Sequence, residues 1–447
     1  MARKRKSNSS EPPTVAVIGL GYVGLPLALE FARAGCRVIG LDIDAAKTEQ
    51  LRKGSCYLKH VDASGLKSLV ESDRFYPTTD WKRLRQAQAV IICVPTPVSA
   101  AREPDLQYIV KTSREISRYL ERGQLVVLES TTYPGTTEEA VLPLLEESGL
   151  QCPVNAASDG PAPDFFLAFS PERVDPGNKK IQLREIPKIV GGVNPASTER
   201  ARQLYQRVFD TVIPVSSARV AEMSKLLENI YRSVNIALVN ELKLICQRMD
   251  IDIWEVIEAA ATKPFGFTPF YPGPGLGGHC IPIDPFYLAW KVRQYDMTTR
   301  FIELAGEINT AMPYHIVQAV ADALNTRGRA LKGARILVLG VAYKKDVDDT
   351  RESPALKIMQ LLKERGAEIA YNDPHVPQPG RTRRYDFSHL KSVPLNEENL
   401  KSFDCVVLVT DHSAYDMAEI VRHAPLVIDT RNATRGIDCA STKVVRC

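Results

Sequence analysis

The chain carries a soft nucleophile, Cys280, four residues before a carboxylate, Asp284, in the run Gly273-Pro274-Gly275-Leu276-Gly277-Gly278-His279-Cys280-Ile281-Pro282-Ile283-Asp284. Four glycines and a proline before the cysteine are a costly way to join two helices. Backbone lying close to a ligand explains them better. A lone cysteine is more often a small buried hydrophobe. The glycine loop turns Cys280 toward covalent chemistry, with Asp284 as the nearby carboxylate. His279 reads equally as a base, a substrate contact or a packed ring, and is assigned no catalytic role. Lys225 and Asn229 stand four apart and share one helix face. A lysine in an apolar helix is usually solvated, whereas asparagine in a helix interior is mildly unfavourable and draws interest. Glu172, in Ser170-Pro171-Glu172-Arg173, follows the apolar run Phe165–Phe169; a surface turn acid is the alternative reading.

A second set of residues binds rather than reacts. Gly19-Leu20-Gly21-Tyr22-Val23-Gly24 follows the strand-like Val15–Gly19 and opens an amphipathic stretch from Leu25 to Ala34. The first glycine makes a tight turn, the second admits a pyrophosphate to the backbone, and the third lets helix pack on strand. Asp42 ends the next strand pattern, 23 residues after Gly19. A carboxylate there accepts from a ribose 2′-hydroxyl and repels a 2′-phosphate, so NAD is expected over NADP. A glycine turn without ligand is the alternative. Val94-Pro95-Thr96-Pro97 and Ser130-Thr131-Thr132 each end a strand pattern, where doubly wound sheets bind ligands. Together they line the expected nicotinamide side; each alone reads as a plain turn.

The elements that must position these groups follow from periodicity. Arg37–Asp42, Ala89–Val94 and Leu125–Ser130 continue the strand pattern begun at Val15, with amphipathic stretches between. From Val220 to Ala261 there is neither glycine nor proline, and apolar residues recur at helical spacing. Ala334–Gly340, Ala367–Pro374, Asp404–His412 and Leu426–Asn432 then repeat the first four strand patterns in order. The expected class is α/β, with two Rossmann-like doubly wound parallel-sheet domains joined by a central helical segment. Expected bounds are a disordered basic tail at 1–13, then domains at 14–213, 214–330 and 331–447.

Composition narrows the functional classes. A chain of 447 residues exceeds one core, and 44% hydrophobic with 25% charged residues excludes a disordered chain or a disulfide scaffold. No apolar run approaches the roughly 18 residues that span a bilayer, so no membrane association is expected. The net charge is +4; Arg3, Lys4, Arg5 and Lys6 less Glu11 give +3, leaving +1 for the rest. The excess is a tail property and argues for no nucleic-acid partner. Nine cysteines without a CxxC pair indicate reduced thiols and a cytoplasmic protein. Neither histidine nor cysteine spacing indicates a metal site.

GLGYVG at Gly19, PTP at Pro95, SPER at Ser170, the Lys225–Asn229 helix, GLGGHCIPID at Gly275 and KKDVDDTRES at Lys344 together resemble the UDP-glucose/GDP-mannose dehydrogenase family, in the family's order. The resemblance implies a four-electron oxidation of a sugar C6 alcohol, with two hydrides passing to two NAD molecules. It implies Cys280 as nucleophile, Lys225 stabilising an alkoxide, and Asp284 accepting a proton through water. Asn229 would orient the sugar, Glu172 the hydrolytic water, and Thr132 a further water. It places Gly19, Leu20, Gly21, Tyr22, Val23, Gly24, Asp42, Lys47, Pro95, Thr96, Thr132 and Arg351 at the cofactor. It places Glu172, Arg173, Lys225, Asn229, Tyr271, Gly273, Gly275, Gly277 and Lys344 at a UDP-sugar. The segment from Tyr271 to Tyr287 is similar to members acting on UDP-N-acetylglucosamine, the expected substrate. UDP-glucose and UDP-N-acetylmannosamine are the alternatives, although UDP-glucose members more often have serine where His279 stands and arginine near Pro264 or Phe265. A homodimer through the apolar central helix is expected. Two other classes stay open: a two-electron β-hydroxyacid-type dehydrogenase, and a sensor that binds nucleotide sugars without turnover.

Overall fold

The computed structural model describes residues 12–58, 61–99, 103–154, 162–173, 181–278, 283–382, 384–438 and 443–447. The basic tail through Glu11 and the nucleophile candidate Cys280, with His279, Ile281 and Pro282, lie outside the described residues. Two compact units, 1–227 and 228–447, meet within one long helix.

The first unit is built on eight strands: β1 (Thr14–Ile18), β2 (Arg37–Leu41), β3 (Phe75–Thr78), β4 (Ala89–Ile92), β5 (Leu125–Leu128), β6 (Phe166–Phe169), β7 (Lys188–Gly192) and β8 (Val212–Pro214). Their order is β3-β2-β1-β4-β5-β6-β7-β8. All neighbours are parallel except β6 and β7. Helices α1 (Gly24–Arg33), α2 (Ala45–Arg52), α3 (Leu66–Glu71), α4 (Gln107–Ser117), α5 (Leu142–Glu146) and α6 (Pro195–Tyr205) accompany the strands. β1, β4 and β5 are buried along their whole length or nearly so, as the apolar runs of a sheet covered on both faces require. Register decides where the candidate residues emerge. Ile18 pairs with Leu41 and with Ile92, Ile92 with Leu128, and Leu128 with Phe169. Gly19, Asp42, Cys93, Glu129 and Ser170 therefore all follow strands that end level, at one carboxyl edge.

Helix α7 (Ala218–Arg248) passes from the first unit into the second. The second unit continues with α8 (Ile253–Ala261), α9 (Asp284–Lys291) and α10 (Arg300–Asn325). Its sheet comprises β9 (Arg335–Leu339), β10 (Glu368–Asn372), β11 (Cys405–Leu408), β12 (Val427–Asp429) and β13 (Val444–Arg446), all parallel, in the order β10-β9-β11-β12-β13. Helices α11 (Pro354–Glu364), α12 (Glu397–Ser402) and α13 (Met417–His423) accompany it. Asp252 N-caps α8, and Ser353 caps α11 ahead of Pro354, which fixes where both helices begin. Leu339 pairs with Asn372 and Leu408, and Leu408 with Asp429, so this sheet too presents its loops at one edge. Among the described residues no helix is long and apolar enough to cross a membrane.

Candidate active site

At the first sheet's edge the three fingerprint glycines answer to different neighbours. Gly19 has φ of +91°, and a Cβ there would lie 2.5 Å from the Cys93 carbonyl oxygen. A Cβ on Gly24 would lie 1.9 Å from the Gly19 carbonyl oxygen. A Cβ on Gly21 would meet nothing within 4 Å, so the open approach lies at the second glycine. Asp42 is oriented from both sides: Leu20 N donates to its Oδ2 at 2.8 Å and Asp44 N to its Oδ1 at 3.0 Å. The Tyr57 hydroxyl donates to the Leu20 carbonyl, and Lys47 Nζ lies 5.8 Å from the Tyr57 ring centre. A helix N-terminus at Gly24, with Tyr22 and Val23 in the turn before it, completes a cradle that fits a dinucleotide. Pro95 is exposed beyond β4 and Thr96 is buried beside it. Thr132 is fully buried, its Oγ1 2.6 Å from Thr136 Oγ1.

Two lysines hold the Pro171–Glu172 turn. Lys188 Nζ donates to Pro171 O at 3.2 Å, and Lys225 Nζ to Glu172 O at 2.5 Å. Lys188 is also paired with the buried Glu129 at 2.9 Å, and Glu129 accepts from the Tyr205 hydroxyl. Burial pushes the Glu129 carboxyl up, and the Lys188 charge opposes this. Arg173 Nη1 donates to Pro187 O at 2.7 Å.

Glu222, one turn before Lys225, ties α7 to the loop that carries Thr132. It accepts from Gly135 N at 2.6 Å, Thr137 N at 2.9 Å and Thr137 Oγ1 at 2.6 Å. Burial nevertheless pushes its carboxyl up from 4.5 to about 7. The folded chain therefore binds this proton more tightly than the unfolded chain, and stability falls as pH rises from about 4.5 to about 7. Between pH 5 and pH 8 the wild type should lose on the order of 3 kcal/mol relative to Glu222→Gln. Urea unfolding of both proteins across that range checks this; a constant difference would remove Glu222 as the titrating group.

In the second unit Asn229 Nδ2 donates to Asp284 Oδ2 at 2.6 Å, with both side chains buried. Asp284 opens α9, the helix that follows the glycine-rich run. That run's glycines have a protein cause that sequence alone did not show. A Cβ on Gly273 would lie 2.7 Å from Arg431 Nη1, on Gly275 3.3 Å from Pro354 Cβ, and on Gly277 2.7 Å from Tyr343 Cβ. Gly273 N donates to Asn240 Oδ1 at 2.9 Å and Gly278 N to Arg351 O at 3.1 Å, so the loop is sewn to α7 and to the turn after β9. Tyr271 is half-exposed and stacks on Trp254 at 5.8 Å. Lys344 is half-buried in the loop after β9. The Arg351 guanidinium is engaged by Asp349, at 2.6 Å from Nη2.

Sequence reasoning missed two cations in this unit. Arg431 follows β12, donates from Nε to Val409 O at 2.8 Å, and lies against Gly273. Lys243 on α7 is only 5% exposed, and its Nζ has no hydrogen-bond partner. Burial pushes its ammonium down, and the Arg431 charge adds to that. Arg431 stands at a strand's carboxyl end, which was the available signal. Lys243 on a long helix gave none, since a solvated lysine has the same sequence.

Comparison with known proteins agrees with this arrangement. Sequence profiles of the UDP-glucose/GDP-mannose dehydrogenase family match residues 13–209 as its NAD-binding domain, 219–311 as its central domain and 337–436 as its UDP-binding domain. A UDP-N-acetyl-D-glucosamine 6-dehydrogenase of Pseudomonas aeruginosa is 36% identical over 403 residues, 90% of this chain and 91% of the relative. A UDP-N-acetyl-D-mannosamine dehydrogenase of Escherichia coli K12 is 35% identical over 430 residues, 94% and 99% respectively. The solved structure of a UDP-D-ManNAc dehydrogenase from Pyrococcus horikoshii superposes with a TM-score of 0.85 at 33% identity, covering 96% of this chain and 98% of that one. With all three family domains present in order, the chain belongs to the UDP-glucose/GDP-mannose dehydrogenase family and is an NAD-dependent UDP-sugar dehydrogenase.

Proposed function

We propose that this chain oxidises the C6 alcohol of a UDP-N-acetylhexosamine, UDP-N-acetylglucosamine first, to the uronate through a thioester on Cys280. The observation that carries the reading is the buried Asn229–Asp284 pair, which seats a carboxylate four residues after that cysteine. NAD, once bound at the first sheet's edge, accepts the hydride in each of two oxidations. Asp284, through water, takes the alcohol proton in the first. The Cys280 thiol then adds to the aldehyde, giving a thiohemiacetal whose oxygen can collapse as the second hydride leaves. Lys225, its ammonium anchored on the Glu172 carbonyl, offers a fixed positive charge to that oxygen. Water then displaces the thiol and leaves the carboxylate, with Glu172 and Thr132 orienting the water and Asn229 the sugar. Gly19 to Gly24, Asp42, Lys47, Pro95, Thr96 and Arg351 serve the cofactor; Arg173, Tyr271, Gly273, Gly275, Gly277 and Lys344 serve the UDP-sugar. Lys243 and Arg431 add positive charge suited to a diphosphate.

The test is a panel of UDP-N-acetylglucosamine, UDP-N-acetylmannosamine, UDP-N-acetylgalactosamine and UDP-glucose, with NADH counted per sugar consumed. Two NADH per sugar and the highest kcat/KM on UDP-N-acetylglucosamine are expected. One NADH per sugar would sink the four-electron reading. A preference for the mannosamine sugar is the second reading, favoured by the Escherichia coli and Pyrococcus horikoshii relatives.

The working species is a homodimer packed through α7, within a division at 14–213, 214–330 and 331–447. Val220, Leu227, Tyr231, Leu238, Leu242 and Ile245 form an exposed stripe along this helix at helical spacing. Such a stripe needs a cover, and a second copy supplies the same surface. Leu238, 50% exposed, tests it: Leu238→Asp should yield a monomer by light scattering where the wild type is a dimer. A wild-type monomer at working concentration would count against the dimer.

A further inference from the structure

The loops after β9, β10 and β11 bring together three groups that are far apart in sequence. Asp346, His375 and His412 each offer one ligand atom, and these atoms lie within 4.8 Å of one another. His375 Nε2 is 3.6 Å and His412 Nδ1 3.8 Å from Asp346 Oδ1. We infer that these three side chains form a binding site for a divalent d-block cation, zinc by its donor set.

The imidazoles are prepared for this role. His412 is fully buried at its side chain, and Asp346 N donates to its Nδ1 at 3.0 Å, so that nitrogen is unprotonated. The proton sits on Nε2, which donates to Asp373 Oδ2 at 3.0 Å. A carboxylate behind the outer ring nitrogen sets the tautomer and raises the basicity of a metal-binding histidine. His375 is held through its backbone, its N donating to Asp373 Oδ1 at 2.8 Å. Its Nε2 is buried and has no hydrogen-bond partner, which is the unspent donor atom of the cluster. The Asp346 carboxylate is steadied by Ser413 N at 2.8 Å and Ser413 Oγ at 2.7 Å.

Two imidazoles and one carboxylate are a zinc-type set with one position left for water. Ligand atoms at ~2.0–2.1 Å from zinc would stand about 3.3 Å apart, so a small inward movement closes the site. Asp346 is the member placed to make it, since its side chain is 43% exposed and its turn lies at the surface, and the movement would loosen its hydrogen bonds from Ser413. The ion would take the His412 Nδ1 lone pair from Asp346 N, which then turns to water. Coordination would tie the loop bearing Lys344, two residues before Asp346, to the sheet edge.

The full-length protein, stripped with chelator, is titrated with zinc by calorimetry and with cobalt(II) by visible absorption. His375→Gln and Asp346→Asn are run in parallel. His375→Gln removes no existing side-chain hydrogen bond at Nε2 but does remove the ring contact with His412 at 4.8 Å, so its thermal unfolding is compared with the wild type. The wild type should bind one equivalent that both variants lose or bind at least ~10-fold more weakly. Its cobalt spectrum should show a component without thiolate charge-transfer that both variants lack. Equal stoichiometry and spectra in all three proteins would overturn the site, any ion then belonging to the cysteines.

Discussion

Changing Cys280 to serine is expected to cut uronate formation by roughly 10³-fold or more, with NAD and UDP-sugar binding largely kept. A serine oxygen is a far weaker nucleophile than a thiolate and a poorer leaving group from the acyl stage. The carboxylate four residues on is expected to keep its place, because Asn229 Nδ2 donates to Asp284 Oδ2 at 2.6 Å. Quenched-flow analysis should therefore show the first oxidation outlasting the second, with at most one NADH per sugar. Undiminished turnover at two NADH per sugar would remove the covalent step.

Lys225→Met should lower kcat by roughly 10²–10³-fold with a much smaller change in KM, the signature of a charge used in the transition state. The reason is preorganisation. Lys225 is nearly buried, its Nζ is anchored at 2.5 Å on the Glu172 carbonyl, and that turn is braced from beneath by Lys188. A cation already desolvated and aimed costs little to use when negative charge develops. Steady-state kinetics on wild type, Lys225→Met and Lys225→Arg check this. A variant losing only in KM would make Lys225 a substrate-binding group.

Much of this arrangement could be read from the chain, and the exceptions share one cause. Gly19 to Gly24 and Asp42 announce themselves because turn glycines and strand-end acids sit at fixed offsets from apolar runs. The second sheet was readable for the same reason, since its strands repeat the first four patterns. The antiparallel β6–β7 pair and the edge strand β13 were not, because short strands acquire meaning only from their neighbours. Glu222, Lys188 and Lys243 look like surface charges on helices or strands, and only long-range packing buries them. The run from Gly273 to Gly278 was noticed, but its tightness comes also from Arg431, Pro354 and Tyr343, which lie well over sixty residues away in the chain.

The acid that closes the second strand of each sheet has met a different fate. Asp42 is oriented by two backbone amides, whereas Asp373 accepts from Val341, Ala342, His375 and Val376 N and from His412 Nε2. Its lone pairs are spoken for, so a second adenosine has no diol anchor there. Under the proposed four-electron scheme, one berth would serve both oxidations in turn. In that scheme spent nucleotide would leave and fresh nucleotide arrive while the half-oxidised sugar stays put, and the proposed bond from sulfur to carbon would be the mooring for that wait.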